Sequence, residues 1–131
     1  MTSRSIARRA ASPCANALAT AVLVLAATSV HAAGDATRGA KLYKDCGACH
    51  SIQENGAGPA HKGVFGRLAG KAAGYDYSPE LKNSNIVWNE DNLDKWLTDP
   101  EKLVPGTKMF FDVESPQDRA DIIAFLKEKA K

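Results

Sequence analysis

The chain has 131 residues, 24% charged and 44% hydrophobic, enough for one domain with a core of its own. Its formal net charge is +2, but Arg4, Arg8 and Arg9 stand at the front, and the remainder carries 14 Lys and Arg against 15 Asp and Glu, a net −1. That balance excludes a partner held by bulk positive charge, such as nucleic acid or an anionic membrane.

The three arginines are followed by the uncharged apolar run "ANALATAVLVLAATSV" (15–30) and then by Val30-His31-Ala32, with compact residues at the two positions a signal peptidase reads. Residues 1–32 therefore read as a cleaved secretory signal, and 33–131 as the mature domain. A membrane anchor is the rival reading, but a span needs roughly 20 apolar residues, and this run is shorter and holds Asn16 and Thr20. Cys14 leaves with the signal, so the mature chain keeps only Cys46 and Cys49.

Helix signals dominate the rest. Asp35 is placed to cap a helix through Asp45 with Leu42 and Tyr43 on its inner face. Ser78-Pro79-Glu80 sets a cap before a first-turn proline and opens a short helix with Leu81 inward. Asn89 opens a helix through Thr98 in which Leu93, Trp96 and Leu97 share a face, and Pro100 stops it. Ser115-Pro116 opens the last helix, striped by Ile122, Ile123, Phe125 and Leu126 and ending in Lys127, Lys129 and Lys131. Loops rich in glycine and proline, such as 54–75, separate these helices, and no run alternates as a strand. The expected fold is small, all-α and loop-rich. Short helices with few apolar residues need a further source of core, and a buried cofactor would supply it.

The stretch "KDCGACHS" (44–51) names that cofactor. Two cysteines three apart with a histidine directly after the second form the attachment pattern for c-type haem. Each thiol adds across one vinyl group of the porphyrin; within one helical turn the two sulfurs reach neighbouring pyrrole edges and His50 comes under the iron. The other imidazole nitrogen should then donate to a carbonyl. Structural zinc wants four ligands, but adjacent Cys49 and His50 are awkwardly placed to serve one tetrahedral ion, and His61 still leaves the set short once strain is counted. A thioredoxin-like dithiol wants a βαβ setting, which is missing, and a plain disulfide remains the bland reading. If the haem carries electrons, a second axial ligand is needed, and apart from Met1 the only methionine is Met109 in "VPGTKMFF". A thioether opposite His50 favours Fe(II), raises the potential and closes the sixth position to substrates.

In order along the mature chain, "GDATRGAKLY", "CGACH", "GPAHKGVFGR", "AGYDYS", "VW", "WLTDP", "PGTKMFF" and "RADIIAFLK" resemble the class I cytochromes c, of the mitochondrial cytochrome c and bacterial cytochrome c2 type. The resemblance implies the cytochrome c fold wrapped around one covalent haem c. It further implies that Gly39 and Tyr43 contact Phe125 where the first and last helices cross, and that the Pro59 carbonyl accepts the proton on His50. It makes Arg67, Tyr77, Trp88 and Thr107 the group around a buried haem propionate, Trp96 an aromatic beside Met109, and Phe111 a cover for the haem edge.

Three features depart from the family. His61 stands where the family has a leucine against the haem, which makes the pocket wall more polar unless the ring turns outward and Ala60 or Val64 packs instead. The segment from His50 to Pro59 is shorter than in the mitochondrial type. Of the lysine ring that docks oxidases, Lys41, Lys102 and Lys108 match, while Asp45, Glu101 and Glu114 replace lysines, so steering toward an acidic partner should be weaker.

These readings together describe an exported, periplasmic, monomeric one-electron carrier and not an enzyme. It would dock transiently with a membrane oxidase, reductase or dehydrogenase and bind no small-molecule substrate and no nucleic acid. A peroxidase or gas sensor with a dissociable Met109 is one competitor, distinguished by a five-coordinate resting iron. A permanent haem subunit of a dehydrogenase is another, distinguished by co-purification with a large partner. A colourless zinc or thiol protein is the last.

Overall fold

The computed structural model describes residues 33–131; the proposed signal segment and its cleavage point after Ala32 lie outside the described residues. Five helices follow in order: α1 (Ala36–Cys46), α2 (Pro79–Lys82), α3 (Glu90–Thr98), α4 (Pro100–Leu103) and α5 (Pro116–Lys129). Among the described residues no strand forms, and Leu68 and Val87 make only an isolated bridge.

Each helix begins where a side chain relieves unpaired backbone N–H groups. The Asp35 carboxylate accepts from the Thr37 and Arg38 amides, the Ser78 hydroxyl from Leu81, the Asn89 side chain from Asn92, and the Ser115 hydroxyl from Asp118. The sequence reading had α3 stop at Pro100 and nothing begin there. The proline does end α3, but it also occupies the first turn of α4, with the Asp99 side chain accepting from the Lys102 amide. A proline that breaks one helix has the fixed φ that suits the start of the next.

α1 and α5 cross at Gly39. A Cβ built there would stand 1.9 Å from the Asp121 carbonyl oxygen and 2.9 Å from the Phe125 Cβ, so no other residue fits without parting the helices. Beside the crossing lies a charged knot invisible in the helix pattern. Asp121 is 1% exposed, yet its carboxylate accepts from the Asp35 amide at 2.8 Å, from Gln117 at 2.9 Å and from Arg38. Burial alone would push this carboxyl up; the three donors outweigh burial and hold it below the ordinary carboxylate range. Arg119 is also buried, bonded to Asp94 of α3 at 2.7 Å and to the Val113 and Glu114 carbonyls at 2.9 Å. It ties α5 both to α3 and to the segment leading out of the Met109 loop.

The core residues Val64, Tyr77, Leu81, Trp88, Leu93, Trp96, Leu97, Ile122 and Leu126 form one buried cluster. Each of them also borders a cavity, to which α1, α2, α3 and α5 contribute walls.

Gly39→Ala tests the crossing. Alanine gains about 1 kcal/mol of helix propensity, whereas overpacking costs about 3 kcal/mol. A net loss of about 2 kcal/mol in denaturant unfolding is expected; unchanged or increased stability would contradict so tight a crossing.

Candidate functional site

The cavity is about 510 Å³, within the range of cofactor sites, and its walls are mainly apolar. Three stretches of loop bring polar groups to it.

The first follows α1. The helix ends at Cys46, and the turn after it is closed by Cys49 N–H donating to the Cys46 carbonyl at 3.1 Å and His50 N–H to the same carbonyl at 2.8 Å. One tight turn thus brings both thiols and the imidazole to the cavity. The thiols are not joined to each other. Burial, and then Asp45, push the Cys46 thiol pKa up, the opposite of what a redox dithiol uses. His50 Nδ1 lies 2.8 Å from the Pro59 carbonyl, which can only accept. The proton therefore sits on Nδ1, and Nε2 keeps the lone pair that a metal would use. Gly58 makes the close approach possible: a Cβ there would fall 2.4 Å from His50 Cε1.

The second stretch holds Arg67, Tyr77 and Trp88. All three line the cavity with Thr107. The Arg67 guanidinium donates from Nη1 to the Lys62 carbonyl at 2.5 Å and from Nη2 to Ala60 at 3.3 Å, while its Nε is buried without a partner. A buried guanidinium N–H without a partner calls for an acceptor, and a carboxylate is the simplest fit. Tyr77 is engaged at its hydroxyl by the Ala72 amide at 3.3 Å.

The third stretch is the Met109 loop. Gly106 takes a left-handed conformation with φ of 91°, and the Thr107 amide closes the turn onto the Val104 carbonyl at 3.1 Å. The Thr107 hydroxyl accepts from the Met109 amide at 3.4 Å. Trp96 Nε1 donates to the Met109 sulfur at 3.1 Å, and Trp96 packs on Trp88 with ring centroids 5.1 Å apart. The thioether is thus aimed by the indole rather than buried as filler. Phe110 and Phe111, beyond it, are 73% and 49% exposed and border the cavity mouth.

His61 turns inward, not outward. It lines the cavity with its ring stacked on His50, centroids 4.1 Å apart, and its Nδ1 is 2.8 Å from the Tyr43 hydroxyl. Burial, with His50 and Arg67 nearby, pushes its pKa down to about 3; burial and then Cys46 push Tyr43 up to about 12.

A cysteine pair, a histidine with its Nε2 lone pair free, a thioether and an unspent arginine donor around one apolar cavity fit a covalently held haem with a carboxylate arm. The comparisons agree. The cytochrome c family model matches residues 36–129. The chain belongs to the cytochrome c family. It is similar to cytochrome c2 of Rhodomicrobium vannielii, 46% identical over 114 residues, covering 84% of this chain and 90% of that protein. Cytochrome c of Euglena viridis is 50% identical over 98 residues, covering 72% and 96%. Among solved structures, cytochrome cH from Methylobacterium extorquens matches with a TM-score of 0.71 and 49% identity over 73% of this chain and 100% of that one. Ferricytochrome c2 from Rhodopseudomonas palustris matches at 0.69 and 38% identity, covering 72% and 97%. Like its family, the chain binds one covalent haem c.

The structure brings every sequence-derived candidate, Cys46, Cys49, His50, Pro59, Arg67, Tyr77, Trp88, Thr107 and Met109, to this one cytochrome c cavity. The sequence reading missed Gly58 as a spacer for the His50 ring and missed the Tyr43–His61 pair. Gly58 had a signal, since it sits directly before the proline whose carbonyl meets the ring.

Gly58→Ala would drive a methyl into the His50 ring. Holoprotein with most of its covalent haem lost is expected, measured as haem absorbance per protein. Normal haem content with a normal ferric spectrum would contradict this packing.

Proposed function

We propose that this cytochrome c-family electron carrier is a periplasmic monohaem shuttle with His50 and Met109 as axial ligands. The observation that carries the reading is the meeting of the Cys46–His50 turn and the Trp96-held Met109 sulfur in one apolar cavity. In it Cys46 and Cys49 carry the thioether attachments, His50 gives Nε2, Met109 gives its sulfur, and Arg67 with Tyr77, Trp88 and Thr107 receives a propionate.

Haem supplies the one-electron Fe(III)/Fe(II) couple, and the protein sets its terms. Pro59 keeps the proton on His50 Nδ1, so Nε2 stays a lone-pair donor. Trp96 holds the Met109 sulfur through its indole N–H. Arg67 lowers the cost of burying a carboxylate beside the haem. The apolar walls exclude water, so little rearranges when one electron arrives or leaves. Were His50 and Met109 both to bind the iron, no position would be left for a substrate, which favours a carrier over a peroxidase or gas sensor.

The partner-facing surface is the mouth of the cavity, where Phe110 and Phe111 project. Its charge is mixed. Lys108 and Asp45 both border it, Lys108 already pairs with Asp76 at 3.2 Å, and Lys41, Glu101, Lys102 and Glu114 are all exposed. Transient docking with a membrane oxidase, reductase or dehydrogenase therefore relies more on apolar contact than on long-range steering. Export rests on the N-terminal signal pattern of residues 1–32. Among the described residues, no helix is long and apolar enough to cross a membrane.

Met109→Ala should keep covalent haem, lower the reduction potential and admit carbon monoxide to the ferrous protein. An unchanged potential and no carbon monoxide binding would remove Met109 from the sixth position.

A further inference from the structure

His61 is not used by the reading above, yet it is among the most firmly placed residues of the cavity wall. Its amide donates to the Ser51 carbonyl at 2.9 Å, and its carbonyl accepts from the Val64 amide at 2.8 Å, so the backbone is fixed on both sides. Its ring lies over the His50 ring with planes 22° apart and centroids at 4.1 Å. Its Nδ1 is 2.8 Å from the Tyr43 hydroxyl. Tyr43 belongs to α1 and packs on Phe125 of α5 at a centroid distance of 4.9 Å, beside the Gly39 crossing. A contact chain thus runs from the α1–α5 crossing through Tyr43 and His61 to His50.

The Pro59 carbonyl holds His50 at one polar point, and Gly58 lies against the ring with no side chain to grip it. One hydrogen bond to Nδ1 sets the tautomer, but a ring can swing about that bond with little loss, because the angular dependence is soft near linearity. A flat partner stacked on the ring face resists this swing. The partner helps only if it is itself held, and a hydrogen bond to a tyrosine locked between two helices holds it. An apolar residue at position 61 would pack on the ring without that anchor. His61 is not a second ligand beside His50: in near-parallel stacked imidazoles the lone pairs lie in separate planes and do not converge on one ion.

We propose that Tyr43 and His61 act as a positioning pair that fixes the rotational setting of the His50 ring. The proposal rests on His50 being the axial ligand. Ring rotation decides how the imidazole orbitals overlap those of ferric iron, so the pair acts on the electronic asymmetry of the haem rather than on its attachment.

The test uses the complete, haem-loaded protein in the ferric state as wild type, Tyr43→Phe, His61→Leu, His61→Gln and the Tyr43→Phe/His61→Leu double variant. Two readouts follow ring orientation: the anisotropy of the electron paramagnetic resonance g values and the spread of the paramagnetically shifted haem methyl resonances. Denaturant unfolding, run in parallel, reports packing alone. Tyr43→Phe should shift the methyl spread and g anisotropy, His61→Leu should shift them further, and Tyr43→Phe should add nothing in the His61→Leu background. His61→Gln, which keeps a flat group and an acceptor for the tyrosine, should recover part of the wild-type pattern. Unchanged patterns in all variants, or independent and additive shifts, would overturn the proposal while leaving the ligation intact. A wild-type protein with haem but no low-spin ferric signal would instead overturn the ligation reading, and this proposal with it.

Discussion

The structure depends on a cavity that its own side chains do not fill. Trp88, Trp96, Leu81, Leu93, Leu97, Ile122, Leu126 and Val64, which in another small helical protein would pack on each other, all face one space of about 510 Å³. At about 24 cal/mol per Å³, a dry apolar cavity of that size would cost on the order of 10 kcal/mol, comparable to the whole stability of a small domain. The haem is therefore a core element as much as a redox centre. Two of the helices have only four residues: α2 reaches the cavity through Leu81, and α4 packs on α3, which lines it with Leu93, Trp96 and Leu97.

This constraint explains why the polar groups are distributed as they are. Pro59 and Gly58 shape the His50 side, Trp96 bonds the Met109 sulfur on another, and Arg67 keeps its buried Nε without a partner. The charged knot of Asp121, Arg38 and Asp35 and the buried Arg119 lie outside the cavity, clamping α5 to α1, α3 and the exit of the Met109 loop. Fixed walls of this kind would let a bound haem gain or lose an electron with little rearrangement of the chain.

Local physics was legible in the sequence. Capping by Asp35, Ser78, Asn89 and Ser115 depends on residues two or three positions away, so the pattern alone located those helix starts. The cysteine and histidine spacing is also local, and it pointed to haem. The start of α4 was missed because Pro100 was read only as a stop. Asp121 and Arg119 gave no local signal; their partners lie as many as 86 and 25 residues away, and no periodicity encodes such pairs. The direction of the His61 ring was undecidable for the same reason, since it turns on a tyrosine 18 residues distant.

Ligation of one covalent haem by both His50 and Met109 can be read from optical spectra of the haem-loaded protein, oxidised and reduced. A sharp reduced α-band together with the weak long-wavelength sulfur-to-iron band of the ferric state is expected. A c-type haem spectrum lacking that sulfur band at neutral pH would contradict it.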